Sequence, residues 1–215
     1  MDLIDLWPPY GVCISEGDLE LRIVRESDAP ELVELVRSGI HDPDAMPFLF
    51  PWTRRSDDEA PAEYMRFMAR TKAGCGPDDW DLQFAVRLGG ELVGTQGITA
   101  KNFAVLRTAE TGSWLALRHQ GQGIGTRMRR AVCTFAFDEL DATEVTSHAF
   151  VDNPASLAVS RKVGYRDNGT RRVAREGALA VEQSFVLRPD DLVRTDPIRT
   201  TGAEALRSFL GLTRG

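Results

Sequence analysis

The sequence predicts a mixed α/β fold in which helices flank a central, mostly antiparallel sheet of six to seven strands. Segments with period-two and helical hydrophobic patterns follow the order strand, two helices, three strands, helix, strand, helix, two strands. Three consecutive strands indicate an antiparallel meander, whereas the following strand–helix–strand unit indicates a parallel crossover. This order differs from the uniform alternation of a doubly wound parallel sheet, so we expect a mixed sheet.

The first half of the chain carries the first strand and two helices. Residues 1–18 have no clear pattern and are expected to form an irregular lead-in. Residues 19–24 alternate apolar and polar, as a half-buried strand does, and residues 27–40 and 56–74 have the apolar spacing of amphipathic helices. The segment between those helices, HDPDAMPFLFPWT, contains too many prolines for regular structure and is predicted to be a loop with unusual apolar content.

The second half begins with a hairpin about Gly89 and Gly90, which suit a positive-φ turn. A third meander strand leads directly into a glycine-rich stretch and an amphipathic helix. A further helix begins after Asn153, a good N-cap residue, and ends at Gly164. The predicted strands of this half cover residues 82–88, 91–100, 107–117, 144–150, 165–173 and 178–187. We therefore expect one domain over residues 19–187 and a polar tail over 188–215 with one short helix near 203–210.

Composition excludes several classes of protein. The net charge of −6 argues against general attraction to nucleic acid or to an anionic membrane. The three cysteines are odd in number and widely spread, without the spacing of a zinc site, which indicates reduced thiols and no metal. The N-terminal segment is acidic where a signal peptide is basic, and no stretch approaches the ~20 apolar residues of a membrane span. A cytoplasmic location is expected.

The stretch Gln120-Gly121-Gln122-Gly123-Ile124-Gly125 places three glycines immediately before a helix. Free amides and the helix dipole make such a turn an anion site, and the missing Cβ atoms let phosphate oxygens approach the main chain. The spacing fits neither the dinucleotide pattern G-x-G-x-x-G nor the P-loop pattern G-x-x-x-x-G-K-[ST]. A phosphate-binding turn of another kind is therefore predicted.

This run closely resembles the [QR]-x-x-G-x-[GA] pyrophosphate loop of the GNAT superfamily of acyl-CoA-dependent N-acyltransferases. A second segment, NPASLAVSRKVGY, is similar to the part of that superfamily that closes the coenzyme A site, with matches at Asn153, Ser156, Lys162, Gly164 and Tyr165. The segment ETGSWL and the serine at position 156, Ser156, most resemble the RimJ/RimL-like branch. The resemblance covers residues 19–187 and implies the GNAT fold, with the sheet splayed between the third meander strand and the next strand.

The resemblance implies an acetyl-CoA-dependent N-acetyltransferase that acts by direct attack of a primary amine on the thioester, with general-base assistance. The acceptor would be a protein N-terminus, an amino sugar or another small amine, and the resemblance also suggests a homodimer. Two alternatives remain open: a non-catalytic or regulatory acyl-CoA-binding module, and a transferase for a larger acyl group. The positions assigned to the cofactor are Trp114, Leu115, Gln120, Gly121, Gln122, Gly123, Ile124, Gly125, Thr126, Asn153 and Ser156.

Candidate catalytic residues follow from the same resemblance. Glu110, in the third meander strand, is the candidate general base, with His148 as a competitor. Ser160 occupies the position where many relatives carry a tyrosine acid, and a serine hydroxyl is a far weaker acid, so a tyrosine acid is in doubt. Tyr165 is expected in the core. The side chains considered for the 3′-phosphate of coenzyme A are Arg127, Arg129 and Arg130, and those considered for the acceptor pocket are His41, Met46, Phe48, Phe50 and Trp52.

Overall fold

A computed structural model describes residues 1–56, 58–195 and 197–212 of the chain. Within these residues the strands form one sheet in the order β7-β8-β6-β5-β4-β3-β2-β1-β9. The strands are β1 (Cys13–Glu16), β2 (Leu19–Ile23), β3 (Trp80–Leu88), β4 (Glu91–Ala100), β5 (Thr108–Leu115), β6 (Glu144–Phe150), β7 (Arg166–Arg175), β8 (Ala178–Leu187) and β9 (Arg199–Thr201). The helices are α1 (Leu3–Leu6), α2 (Ala29–Arg37), α3 (Ala60–Ala73), α4 (Phe103–Leu106), α5 (Ile124–Asp138), α6 (Pro154–Val163) and α7 (Ala203–Phe209).

The predicted mixed, mostly antiparallel sheet is confirmed, but its size is corrected from six or seven strands to nine. The two additional strands are β1, inside the lead-in that was expected to be irregular, and β9, inside the tail. They pair with each other, and β1 also pairs with β2. Strands of four and three residues are too short to give a period-two pattern, so the sheet extends beyond both predicted domain boundaries.

The two faces of the sheet carry different helices. On one face Met128, Val132 and Phe135 of α5 join the main hydrophobic core, and the rings of Phe84 and Phe135 lie 6.1 Å apart. On the other face α2 and α3 pack against the sheet through a smaller cluster that includes Leu32 and Met68. Side chains of each strand point alternately to these two layers, as the pleat requires.

Strands β5 and β6 form the parallel pair that follows from the β5–α5–β6 crossover. Their ladder runs from Thr108 and Glu144 to Thr111 and Ser147 and stops there, although both strands continue. The unpaired ends diverge, so a gap opens in the middle of the sheet. The predicted splay between the third meander strand and the next strand is confirmed, and it positions the site.

Candidate active site

The turn between β5 and α5 presents bare main chain. Gly121 and Gly123 have φ values of +73° and +82°, and a Cβ at either would meet no atom within 4 Å. Gly123 is the N-cap residue of α5 and supplies no side-chain cap. Among the hydrogen bonds of the described residues, the amides of residues 121–125 reach no acceptor, whereas the amides of Thr126 and Arg127 bond to the carbonyl of Gly123. Free amides at the positive end of a fifteen-residue helix favour a bound anion.

Side chains of the same turn hold its shape. Gln120 Nε2 donates to the carbonyls of Ile40 and Leu115, both at 2.9 Å, and so ties the turn to the end of β5 and to the segment after α2. Gln122 Nε2 donates to the carbonyl of Arg118. The side chain of Ile124 is buried in the core. Ile124 can therefore offer a ligand its amide but not its side chain.

A large cavity of about 1530 Å³ occupies the gap between β5 and β6 and the space above it. The end nearest the turn, which is the predicted cofactor end, is also lined by Trp114 and Leu115 of β5 and by Asn153 and Ser156 at the start of α6. Asn153 Oδ1 accepts a hydrogen bond from the Ser156 amide at 3.1 Å, as the predicted N-cap residue should. The bare amides are free to donate to an anion, and the main chain of β5 beyond Thr111 has no strand partner on the side of β6 among the residues that the structure describes.

Two titratable side chains meet in this gap. Glu110 Oε2 lies 3.8 Å from His148 Nε2, and the carboxylate side chain is 54% exposed to the cavity and solvent. His148 Nδ1 is 3.1 Å from Ser184 Oγ, which fixes the orientation of the ring. From the sequence these residues compete for the role of base, but the structure places them side by side. At 3.8 Å the two side chains are neighbours but are not hydrogen-bonded, so each is a separate candidate proton acceptor.

Ser160 is not brought to the cavity. The residue is 0% exposed on α6, it does not line the cavity, and its Oγ has no hydrogen-bond partner among the described residues. Tyr165 is buried as expected, with its hydroxyl 2.9 Å from Thr111 Oγ1 and 3.2 Å from Cys133 Sγ. Burial raises the pKa of Tyr165 well above its ordinary value. Neither hydroxyl is positioned to give a proton to a group in the gap.

The arginines of α5 have three different environments. Arg127 is paired with Glu16 and Asp18, which lowers the pKa of the Asp18 carboxyl, so its charge is already compensated. Arg130 does not line the cavity. Arg129 does, but it is buried and donates to Ser113 Oγ and Ser147 Oγ, each at 2.9 Å. No sequence pattern indicates this cluster, because its members come from three separate elements of the chain.

The aromatic loop between α2 and α3 covers the other end of the cavity, which is the predicted acceptor end. The rings of Phe48 and Trp52 lie 5.0 Å apart, and Trp52 lies 6.2 Å from Trp114 of β5. His41 continues this row, 5.7 Å from Phe48, and its Nε2 is 2.8 Å from Thr53 Oγ1. Residues 46–50 and Trp52 all line the cavity. The loop therefore closes over the gap from the side of α2.

Ion pairs fasten this loop to the opposite wall. Arg54 Nε lies 3.2 Å from Glu176 Oε1 in the turn between β7 and β8. Arg175 Nη1 donates to the Met46 carbonyl at 3.0 Å and to Asp152 Oδ1 at 3.1 Å. The Arg175 guanidinium lowers the pKa of the Asp152 carboxyl. The walls that meet here come from segments more than a hundred residues apart.

Two further findings concern the described ranges 1–56, 58–195 and 197–212. No cluster of three or more His, Cys, Asp or Glu side chains is arranged to hold a metal ion there. None of the helices there has both the length and the hydropathy of a membrane span.

Comparison with known sequences identifies a family and a relative. The family model described as the acetyltransferase (GNAT) domain matches residues 18–166. The Bacillus subtilis (strain 168) protein named "Putative ribosomal N-acetyltransferase YdaF" is 40% identical over 68 residues, which are 32% of this chain and 37% of YdaF.

Two solved structures are similar in fold. RimL, a ribosomal L7/L12 alpha-N-protein acetyltransferase in complex with coenzyme A, has a TM-score of 0.68 at 22% identity over 82% of this chain and 97% of that one. Mycobacterium smegmatis RimJ in complex with CoA-disulfide has a TM-score of 0.66 at 21% identity over 94% and 95% of the two chains. The match of the family model to well over half of the residues shows that this chain belongs to the GNAT family of acetyltransferases.

Proposed function

We propose that this acetyltransferase moves the acetyl group of acetyl-CoA to a primary amine, with a protein or peptide N-terminus as the first acceptor class to test. The observation that supports the proposal most directly is that one cavity contains both an anion site and a candidate proton acceptor. Unbonded amides of residues 121–125 suit a diphosphate at one end, and Glu110 beside His148 suits an amine at the centre.

In the proposed cofactor site the main chain does most of the binding. The amides of the turn and the dipole of α5 hold the diphosphate of coenzyme A. The open edge of β5 around Trp114 and Leu115 pairs with the pantetheine arm as an added strand would. Asn153 and Ser156 line the other side of this arm, at the start of α6. The thioester is thereby directed into the gap beside Glu110.

In the proposed reaction the amine attacks the thioester carbon directly. Glu110 accepts the proton of the amine, through one water where the distance requires it, and His148 lies beside it in the gap. Backbone amides along the free edge of β5 are suited to stabilise the oxyanion. The three cysteines are not needed as nucleophiles: burial raises the pKa of Cys13, Cys75 and Cys133, which disfavours the reactive thiolate.

The acceptor end supports an amine of some length. Its lining combines the aromatic rings of the loop with carboxylates, but Asp152 and Glu176 are already paired with Arg175 and Arg54, so the rings are the feature suited to a cationic amine. RimL, whose fold this chain shares, is a ribosomal L7/L12 alpha-N-protein acetyltransferase. We therefore place a short peptide that extends past Trp52 ahead of a compact sugar in the order of testing.

The experiment is a release assay for coenzyme A with a panel of acceptors. N-terminal peptides that begin with serine, alanine or methionine are compared with amino sugars and with diamines, each with acetyl-CoA and succinyl-CoA. The proposal expects release with acetyl-CoA that depends on acceptor and is highest for peptides. Binding of acetyl-CoA without release for any amine would favour the non-catalytic module instead, and a preference for succinyl-CoA would replace the acetyl donor by a larger one.

A further inference from the structure

A buried arginine joins the two strands at the point where they part. Arg129 of α5 is 4% exposed and lines the cavity. Its Nη1 donates to Oγ of Ser147, which is the last β6 residue in the ladder with β5, and its Nη2 donates to Oγ of Ser113, two residues beyond the ladder on β5. The guanidinium therefore lies where the gap begins.

This cation has neutral partners. Within the described part of the chain no carboxylate approaches Arg129 to salt-bridge distance, and its Nε has no acceptor. The titratable groups packed near it, Cys133 and Tyr165, are held neutral because burial raises the pKa of both. Arg207, which is equally buried, is paired with Asp141. Since an arginine stays charged in proteins and buried charges are normally compensated, the missing anion is expected from a ligand.

The position of the cluster indicates which anion. Side chains alternate along a strand, so Ser113 and Ser147 lie on the α5 face of the sheet, whereas Glu110 and His148 lie on the acceptor face. The gap thus has a proton acceptor on one side and a cation with two hydroxyls on the other. An amine that enters from the acceptor face expels its leaving group toward Arg129.

The two serines differ in whether the hydroxyl proton already has an acceptor. Ser147 Oγ donates to the carbonyl of Thr111 at 3.4 Å, so its proton is engaged. Ser113 Oγ accepts from Arg129 and has no acceptor for its own proton among the described residues, and Ser113 lines the cavity. A hydroxyl that accepts from a guanidinium is polarised and donates more strongly. Ser113 is therefore the donor that remains available to a ligand.

We propose that Ser113, polarised by Arg129, stabilises the thiolate of coenzyme A as it leaves, in place of the acid expected at Ser160. This inference rests on the proposed function. The nitrogen–carbon bond forms, the carbon–sulfur bond breaks, and sulfur takes the electron pair and accepts the hydrogen bond of the Ser113 hydroxyl. The amine loses its proton to Glu110, and the thiolate takes a proton from water on release. Ser113 contacts the sulfur, and Arg129 is a positioning residue.

The test is the ionisation of the coenzyme A thiol on the protein, followed by the ultraviolet absorbance of the thiolate. A free cysteine thiol has a pKa of about 8.5, and free coenzyme A titrated in parallel supplies the reference value for this thiol. Bound to the wild type, the thiol is expected to ionise at least about one pH unit lower, and Ser113→Ala and Arg129→Met are expected to return it toward the free value. The titration of the ligand-free protein is subtracted, and its own thiols have raised pKa values.

Arg207→Met is the matched control, because it removes an equally buried arginine that is already paired. It is expected to leave the pKa of the bound thiol unchanged. In turnover, Arg129→Met is expected to lower kcat about tenfold or more with little change in the KM for acetyl-CoA, and Ser113→Ala to lower it in the same sense. Ser113→Ala keeps the proposal testable if Arg129→Met does not fold.

The outcomes separate this inference from the proposed function, because the titration needs no acceptor. A shifted thiol that Ser113→Ala restores supports the thiolate site even if no amine is acetylated, in which case the proposed function fails by itself. A bound thiol with the free pKa, or one that neither variant changes, overturns the inference while acetyl transfer stands. Failure of the wild type to bind coenzyme A overturns both.

Discussion

The cofactor end and the acceptor end of the cavity are built in different ways. The cofactor end is local: seven consecutive residues, from Gln120 to Thr126, form the turn and the first helical turn behind it. The acceptor end is assembled from distant segments, with Arg54 reaching Glu176 and Arg175 reaching Met46 across 122 and 129 positions of sequence. We therefore expect binding at the first end to depend on backbone conformation, and binding at the second to depend on contacts between distant segments.

The largest effect is expected at the cofactor end, from Gly123→Val. A branched residue is strained at φ +82°, and its side chain would fill the open space in which a phosphate is proposed to lie. We expect the affinity for acetyl-CoA, measured by calorimetry, to fall by about 100-fold or more.

Gly169→Val is the control for strain, because Gly169 has a φ of +81° in β7, an equally open surrounding, and no part in the cavity lining. It is expected to lose a similar amount of stability and to keep its affinity for acetyl-CoA. Equal loss of affinity in both variants would mean that backbone strain, and not the loss of space for a phosphate at the glycine turn, explains the result.

The next effect lies between the two ends. Glu110→Gln keeps the size of the side chain and removes the proton acceptor, so turnover at neutral pH should fall by about 100-fold while the affinity for coenzyme A stays constant. Single-turnover kinetics measure the first quantity and calorimetry the second. Glu144→Gln changes another carboxylate of the neighbouring strand β6, outside the cavity lining, and should leave both unchanged. An unaffected rate for Glu110→Gln would remove Glu110 from the mechanism.

A smaller effect is expected at the acceptor end. Arg175→Met removes the bonds to the Met46 carbonyl and to Asp152, so the aromatic loop is held less firmly. Since one exposed ion pair contributes up to about 1 kcal/mol, the KM for the acceptor should rise about fivefold with unchanged affinity for acetyl-CoA.

The control is Arg194→Met, which breaks a similar two-point pair with Asp138, at 2.7 Å, outside the cavity lining. Steady-state kinetics with varied acceptor should separate the two variants. If Arg175→Met weakened the binding of acetyl-CoA instead of the binding of the acceptor, the assignment of the two ends of the cavity would be wrong.

The smallest expected effect is the pH dependence of the ion pair between Arg175 and Asp152. Arg175 lowers the pKa of Asp152 below its ordinary value of 3.8 in the folded state. The stabilisation is therefore complete above that ordinary value and is lost as the pH falls through the lower, folded-state pKa. Asp152→Asn should unfold more easily than the wild type at pH 7, by about 0.5 kcal/mol for an exposed pair, and the difference should disappear in acid. Urea unfolding at pH 7 and near pH 2 tests this, and a difference that grows in acid would contradict it.

The same division explains how much the sequence could predict. The mixed sheet and the glycine turn were predictable because hydrophobic period and glycine position act over a few residues, whereas the splay of the sheet followed from the resemblance to the GNAT superfamily. Strands β1 and β9 were missed because three or four residues carry no period and their pairing is with each other. The proximity of Glu110 and His148 follows from the parallel register of β5 and β6, which no local pattern encodes.

The three arginines of α5 illustrate what the sequence could not predict. In the sequence Arg127, Arg129 and Arg130 form one basic run with a common expectation of phosphate binding. In the fold Arg127 pairs with acids of the N-terminal hairpin, and Arg129 is buried against serines of two strands. Because adjacent helical residues point in different directions, their environments depend on tertiary packing. The position of Ser160, buried on α6 instead of facing the gap, has the same origin.

The central claim is that the unbonded amides before α5 bind the diphosphate of coenzyme A. A crystal structure of the complex with acetyl-CoA tests it most directly. We predict diphosphate oxygens at about 2.7–3.2 Å from amide nitrogens of residues 121–125, with the thioester between Glu110 and Ser113. A diphosphate bound elsewhere, or a soaked crystal in which this turn contacts solvent alone, would contradict the account.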